Sequence, residues 1–297
     1  MDKFLDQEIE GYLKLLKSND SNVFNFIKYS NFSKNIKDLL LIISKFELNT
    51  FDDNLINLFD DIYNVLCKIE SNSADCKSFL FLNRRHLNYI LSYQNKNVKK
   101  ILEKSNNILA KAYEFNKNKI IKKNNQKIKI LVIDYYMFKD NKYSSVFRDR
   151  GEILKRLNNN IFEKQLICPK ISEELIRNKK KVKEFLNSFD KIHYINEIRL
   201  DDIYRHNINV LRSGNFDIVI YPSIGMSIYT NLFANERIAP IQINTWGHSI
   251  TSGIDTIDYY ITSNLFEDET AQENYSEKLI RLDSLTTYYL NDSTKKF

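Results

Sequence analysis

The chain has 297 residues, 43% of them hydrophobic, and a formal net charge of +6. This length and apolar content exclude an intrinsically disordered protein and predict two globular domains, each with its own core. The three cysteines have no paired spacing, which excludes a disulfide framework and a structural zinc site and favours a reducing compartment. The first residues do not resemble a signal peptide, and no apolar run has the length of a membrane span. We therefore expect a soluble, cytoplasmic protein.

Residues 1–127 carry the whole positive surplus and have the pattern of an all-helical domain. They contain 21 Lys and Arg against 15 Asp and Glu, with one glycine and no proline. Apolar residues recur at helical spacing, which predicts helices over residues 2–17, 22–46, 51–70, 76–93 and 96–115. No fixed-period repeat is evident, although degenerate helical hairpins fit the pattern. The polar, lysine-rich segment from Asn116 to Lys127 is predicted to be a linker.

Residues 128–297 are predicted to form a Rossmann-like, doubly wound, mainly parallel α/β sheet. Short β-branched runs alternate with helical patterns, which is typical of the crossover connections in such sheets. The predicted strands are 129–134, 162–168, 191–195, 216–221, 239–245 and 258–262. The predicted helices are 145–157, 172–187, 201–212 and one that ends near Asn235.

Two loops follow predicted strands at the edge where parallel sheets bind their ligands, outside the carboxyl ends of the strands. They are Pro222–Met226 and Trp246–Gly253. The second holds two of the six glycines, the only tryptophan, a histidine and three hydroxyl side chains. Glycine lets a ligand approach the main chain, and hydroxyls hydrogen-bond to phosphate or sugar oxygens. This loop is therefore the first candidate for a binding site.

Five sequence blocks follow one another from Phe216 to Leu282: FDIVIYPSIGM, RIAPIQ, WGHSITSG, IDYYITS and YSEKLIRL. Their order and spacing resemble glycosyltransferase family 41, which contains the protein O-linked N-acetylglucosamine transferases and related bacterial cytoplasmic enzymes. The resemblance extends over residues 128–290. It implies the GT-B architecture, in which two Rossmann-like lobes face a cleft. Residues 128–297 correspond to the N-terminal lobe, and the second, donor-binding lobe is expected to be absent from the chain.

The resemblance implies transfer of a sugar from a nucleotide-sugar donor, UDP-linked, to a protein or glycan acceptor, without a cofactor. Negative charge grows on the leaving diphosphate, so N–H groups, hydroxyls and cations are expected to face it. His248 is predicted to be catalytic, because imidazole donates or accepts a proton near neutral pH. A turn-capping role for His248 stays open. The predicted substrate- and phosphate-binding residues are Gly247, Ser249, Thr251, Ser252, Gly253, Gly225 and Met226.

Weaker candidates lie in other parts of the same edge. Ser144, Ser145 and Arg148 follow the first predicted strand, where the resembling enzymes have an acceptor-side loop, but the start of a surface helix explains them as well. Trp246 fits stacking on a base or sugar and also fits core packing. Met226 alone is more typical of core packing. No His or Cys cluster has the spacing of metal ligands, so no metal site is predicted.

Three functions are compatible with these patterns. The first is a glycosyltransferase lobe that needs a second lobe, which an adjoining reading frame or a separate chain would supply. The alternative is a non-catalytic truncated relative that binds an acceptor or partner through its helical domain. The third, a nucleic-acid-binding module, is disfavoured because the lysines of the helical part are scattered among acidic residues. No membrane partner is expected.

Overall fold

A computed structural model describes residues 63–64, 66–67, 91, 97–113, 115–121, 126–138, 142, 144–195, 200–245 and 247–289 of the chain. The chain divides into two compact units, Met1–Glu114 and Phe115–Phe297. The predicted helices 2–17 and 22–46 lie outside the described residues, as does most of 51–70 and 76–93. A helical domain and its linker within residues 1–127 therefore stay a prediction.

The first unit has one helix described along its full length, α1, which spans Lys99–Tyr113. It coincides with the predicted helix 96–115. The Asn97 side chain accepts a hydrogen bond from the N–H of Lys99 at 3.1 Å, next to the helix start. The apolar side chains of the helix fall on one face, as expected of a helix that packs on a core. The buried ones are Ile101, Leu102, Ile108 and Leu109.

The second unit is built on a seven-stranded sheet in which every pairing is parallel. The predicted Rossmann-like α/β fold is therefore confirmed. The strands are β1 (Ile128–Ile133), β2 (Phe162–Pro169), β3 (Lys191–Ile195), β4 (Ile218–Tyr221), β5 (Ile241–Asn244), β6 (Tyr259–Ser263) and β7 (Lys278–Leu282). The helices are α2 (Ser145–Arg156), α3 (Glu173–Asn178), α4 (Lys180–Leu186), α5 (Leu200–Ser213) and α6 (Ile228–Ala234), with a 3-10 turn at Ala271–Asn274.

The strand order, β3-β2-β1-β4-β5-β6-β7, places a reversal of direction between β1 and β4. From β1 the chain steps outward to β2 and β3, then returns to β4 and steps outward the other way. Right-handed crossovers put α2, α3 and α4 on one face of the sheet and α5 and α6 on the other. The carboxyl ends of β1 and β4 thus form the topological switch point, where a ligand crevice is expected in open α/β sheets.

The structure differs from the prediction at two elements. The edge strand β7 carries no prediction, because its alternating exposed and half-buried residues include Lys278 and Arg281 and lack the apolar run of a central strand. The predicted helix 172–187 is two helices, since Lys179 takes an extended conformation between α3 and α4. Ser172 caps α3 by accepting the N–H of Leu175 at 3.2 Å.

A buried lysine fastens α2 to the amino half of β2. The Lys164 side chain is inaccessible to solvent. Its Nζ donates to the carbonyls of Leu154, Lys155 and Leu157 at 3.4, 3.0 and 3.2 Å, at the carboxyl end of α2. A cation at this end of a helix bonds the carbonyls left without intrahelical partners and complements the helix dipole. Burial lowers the pKa of Lys164. Its role is therefore structural.

Several residues of the sequence blocks hold the sheet together. Arg237 makes a bidentate ion pair with Asp258, at 2.7 and 3.2 Å. Gln242 is fully buried in β5; its side-chain carbonyl accepts the N–H of Ile238 at 2.7 Å, and its amide donates to the Thr256 carbonyl at 3.0 Å. These bonds fix the entry into β5 and the turn before β6. The carboxyl end of β5 is consequently held in one position.

Candidate functional site

The loops after β4 and β5 touch each other at the carboxyl edge of the sheet. A Cβ atom on Gly247 would lie 2.6 Å from the Pro222 carbonyl oxygen and 3.0 Å from the Ser223 Cα. The N–H of Thr245 donates to the Tyr221 carbonyl at 3.2 Å, which extends the β4–β5 pairing into this region. Only glycine fits at position 247, because the main chain of the neighbouring loop occupies the space of a side chain. The two candidate loops therefore form one continuous surface.

The loop after β4 is tightly held. Gly225 has a φ of 86°, a left-handed conformation that favours glycine. Its N–H donates to the Asn231 side chain at 2.7 Å, so the loop is tied to α6. Met226 packs against the hydrophobic core between the sheet and helices α2 and α4. The structure thus places both predicted residues at the switch point, with Met226 acting as a packing residue.

Ser249 is the exposed residue of the loop after β5, and His248 precedes it. His248 is half-buried, and its carbonyl accepts a short hydrogen bond from the buried Tyr260 hydroxyl. Ser249 is exposed, and neither its N–H nor its hydroxyl makes a hydrogen bond to any described residue. Trp246 lies outside the described residues. The edge of this loop therefore offers the hydroxyl and main-chain N–H of Ser249, next to a histidine whose Nε2 is inaccessible to solvent.

Thr251 and Ser252 are bound to a buried carboxylate. Glu277, just before β7, is 1% exposed. It accepts the Thr251 hydroxyl at 2.6 Å, the Ser252 N–H at 2.8 Å and, through a short bond, the Ser252 hydroxyl. Gly253 follows in a left-handed conformation with a φ of 65°. These two hydroxyls therefore anchor the loop, and Glu277 is a residue that sequence reasoning missed.

A second residue missed by sequence reasoning is Asp134, which follows β1. The side chain is fully buried, and its Oδ1 accepts the N–H groups of Tyr136 and Met137 at 2.7 and 2.5 Å. Burial raises the pKa of Asp134 to about 6, although the two amides and the neighbouring Ser223 hydroxyl oppose the rise. A buried carboxylate with a raised pKa, in a crevice, is a candidate functional group.

Several buried polar atoms without hydrogen bonds lie at the same edge. Within the described residues, they include Asp134 Oδ2, Ser144 Oγ, Asn244 Oδ1 and Thr245 Oγ1. Asp134 follows β1, Asn244 and Thr245 end β5, and Ser144 precedes α2. An unpaired buried polar atom costs about 1–3 kcal/mol, so a group of them marks a place where ligand or water atoms complete the bonding.

The start of α2 is the third part of the edge. Ser144 stands at the N-cap position, and its N–H donates to the Met137 carbonyl at 2.9 Å. Ser145 and Arg148 are exposed, and Arg148 pairs with Asp149 at 3.0 Å. This ion pair and the hydrogen bond within it raise the pKa of Arg148. Ser144 is thus brought to the crevice, whereas Arg148 faces outward from the helix.

No group of three His, Cys, Asp or Glu side chains suited to hold a metal ion occurs within the described ranges. Of the histidines outside the candidate loop, His193 on edge strand β3 contacts the Gln165 side chain at 3.0 Å, and burial lowers its pKa. In the part of the chain that the structure covers, no helix combines the length and the apolar character needed to cross a membrane.

Comparison with known proteins finds glycosyltransferases among the proteins that resemble this chain. No protein-family model matches the chain. It is 33% identical over 94 residues to the UDP-glucose:protein N-beta-glucosyltransferase of Actinobacillus pleuropneumoniae serotype 5b (strain L20). The same figures apply to the protein of that name from serotype 7 (strain AP76). The match covers 32% of this chain and 15% of each relative.

A solved structure supports the same fold. A mutant O-GlcNAc transferase from Thermobaculum terrenum has a TM-score of 0.52 and 13% sequence identity, over 97% of this chain and 59% of that one. At this identity the likeness concerns the fold. The match covers 15% of each glucosyltransferase and 59% of the O-GlcNAc transferase, so the chain spans less than two thirds of each of these proteins. The resemblance to glycosyltransferase family 41 predicted from the sequence blocks is confirmed.

Proposed function

We propose that the protein takes part in transfer of a sugar from a UDP-linked donor to a protein acceptor, with the sheet unit forming one wall of the reaction cleft. The main structural support is the close approach of Gly247 to Pro222 and Ser223. It joins the two candidate loops at the switch point of the sheet. The protein-glycosylating names of the curated relatives supply the substrate class.

Within this cleft, His248 and Ser249 are the residues proposed to meet the reacting groups. Departure of the diphosphate leaves negative charge, which the N–H and hydroxyl of Ser249 are suited to receive. His248 is proposed to donate a hydrogen bond to that phosphate or to accept the proton of the acceptor nucleophile. Thr251, Ser252 and Gly253 are proposed to act indirectly. The Glu277 carboxylate accepts hydrogen bonds from the Thr251 and Ser252 hydroxyls and so holds the loop in shape.

The proposal includes a second Rossmann-like lobe that completes the donor site, either in the same polypeptide or in a separate chain. The curated relatives are far longer than the region matched, which is 15% of their length. The buried, unpaired atoms of Asp134, Asn244 and Thr245 border the surface that such a lobe would cover. Ser144, Ser145 and Arg148 are the proposed contacts on the acceptor side.

Transfer of radiolabelled glucose or N-acetylglucosamine from the UDP-sugar to protein acceptors tests this function on the full gene product. His248→Ala is compared with His193→Ala, which removes a histidine from the edge strand instead. Loss of a general acid–base group predicts a rate lower by about 10²–10⁴ for His248→Ala, and an unchanged rate for His193→Ala. Equal rates for the two variants would contradict the role of His248. Absence of transfer with either sugar would favour the non-catalytic, partner-binding alternative.

A further inference from the structure

A cavity of about 500 Å³ lies between α2, the junction of α3 with α4, and the segment Tyr288–Tyr289 that follows β7. Its volume falls within the range of about 300–1,000 Å³ that is typical of ligand pockets. Its lining shares no residue with the loops after β4 and β5. Arg148 is the one lining residue that is also a proposed acceptor-side contact.

The rim of this cavity is strongly basic. Arg148, Lys179, Lys180 and Lys181 line it, together with one carboxylate, Glu152. Glu152 is bound to other cations, with Lys155 at 2.7 Å and Arg156 at 3.3 Å. The three lysines are exposed where α3 breaks and α4 begins. Arg148 pairs with Asp149 at 3.0 Å and Lys180 with Glu184 at 3.8 Å, both outside the lining, and the lining itself holds four cations against one carboxylate.

The floor and one wall are apolar. Phe147 and Val182, both buried, form the floor. Tyr288 and Tyr289 form the wall and remain 45% and 55% exposed. Both tyrosines are fixed to α2: the Tyr288 ring lies 4.8 Å from the Arg156 guanidinium, and the Tyr289 hydroxyl donates to Asp149 at 3.0 Å. The cavity is therefore preformed, with two exposed rings held in place.

We infer that this cavity binds an acidic stretch of polypeptide. The carboxylates of the stretch lie against Lys179, Lys180, Lys181 and Arg148, and one apolar side chain between them packs on Phe147 and the tyrosine rings. Charge complementarity selects an acidic partner. The apolar floor and the volume select a polypeptide over a free phosphate, which would fill little of the space and leave Phe147 and the rings uncovered. This inference does not depend on the proposed enzymatic function.

Fluorescence anisotropy tests it with a labelled peptide in which two Glu–Asp pairs flank one leucine. Lys180→Glu combined with Lys181→Glu reverses charge at the rim, and the exposed pair Lys119→Glu with Lys278→Glu makes the same charge change elsewhere. The rim variant is expected to weaken binding at least about tenfold and the control less than about twofold, with binding reduced by salt. Replacing the leucine with serine is expected to weaken binding as well.

Four results would overturn the inference. The first is equal weakening by the rim and control variants, which indicates non-specific attraction. The second is displacement of the peptide by low-millimolar phosphate or pyrophosphate, which indicates an anion site without need of a polypeptide. The third is tighter binding of a single-stranded oligonucleotide than of the peptide, lost in the rim variant, which indicates a nucleic-acid site. Absence of peptide binding at millimolar concentration also rejects it.

Discussion

Asp134→Asn isolates the energetic cost of the buried carboxylate at the switch point. Asparagine keeps an oxygen that accepts the N–H groups of Tyr136 and Met137, and it removes the charge. The pKa of Asp134 is raised from 3.8 to about 6 in the folded protein. The folded state therefore binds this proton more tightly than the unfolded state does. Stability from this group is full below pH 3.8 and is lost as the pH rises through 6.

The magnitude follows from these two pKa values. Between pH 4.5 and pH 7.5, linkage predicts that wild-type stability falls by about 2 kcal/mol relative to Asp134→Asn. Urea unfolding measures the stability of both proteins at the two pH values. The contributions of the other titrating groups cancel when the pH-dependent change of the variant is subtracted from that of the wild type. Asp134→Ala serves as the control, because it removes the charge and also the acceptor of both amides. It is expected to be less stable than Asp134→Asn by about 1–3 kcal/mol.

An equal change in the free energy of unfolding of Asp134→Asn and the wild type between the two pH values would contradict this prediction. That result would mean that the carboxylate is not held in an environment that favours its protonated form. A variant that is more stable above pH 6 but transfers sugar more slowly would instead identify Asp134 as a group kept for function at a cost in stability.

Three further substitutions test the anchoring contacts. Gly247→Ala is expected to lower the free energy of unfolding by about 1–3 kcal/mol, because its Cβ would clash with the Pro222 carbonyl; an unchanged urea midpoint would contradict this. Lys164→Met should cost about 2 kcal/mol by leaving helix carbonyls unpaired, whereas Lys129→Met, at a half-buried 3.8 Å ion pair, should cost under about 1 kcal/mol. Glu277→Gln should slow sugar transfer and accelerate proteolysis of the anchored loop; transfer and proteolysis at wild-type rates would show that the anchor is dispensable.

The fold was largely predictable because it rests on local patterns. Buried central strands of a parallel sheet are near-continuous apolar runs, and residues 130–133 of β1 are such a run. Strand β7 escaped prediction because it is a short edge strand in which a lysine and an arginine interrupt the apolar residues. The break at Lys179 also escaped prediction, since the same lysine-rich pattern fits a continuous helix. Local periodicity does not encode either feature.

The location of the two candidate loops at the carboxyl edge was predictable, whereas the contacts that each of their residues makes were not. The glycine at 247 was expected to admit a ligand, yet the main chain of the neighbouring loop takes that space. Thr251 and Ser252 have hydroxyls suited to phosphate, and the same hydroxyls bind Glu277, 25 or 26 residues away in sequence. The burial of Asp134 depends on how β1, β2 and β4 assemble. Such long-range partners are not encoded in a local motif.

Hydrogen–deuterium exchange of the full gene product, with and without UDP-glucose or UDP-N-acetylglucosamine, tests most directly whether the carboxyl edge binds the donor. Exchange in peptides covering residues 244–253 and 134–138 is predicted to slow when either nucleotide sugar is bound. Peptides covering residues 157–163, at the opposite edge of the sheet, should exchange at the same rate in both conditions. Protection confined to the opposite edge, or no protection at saturating donor, would contradict the proposed cleft.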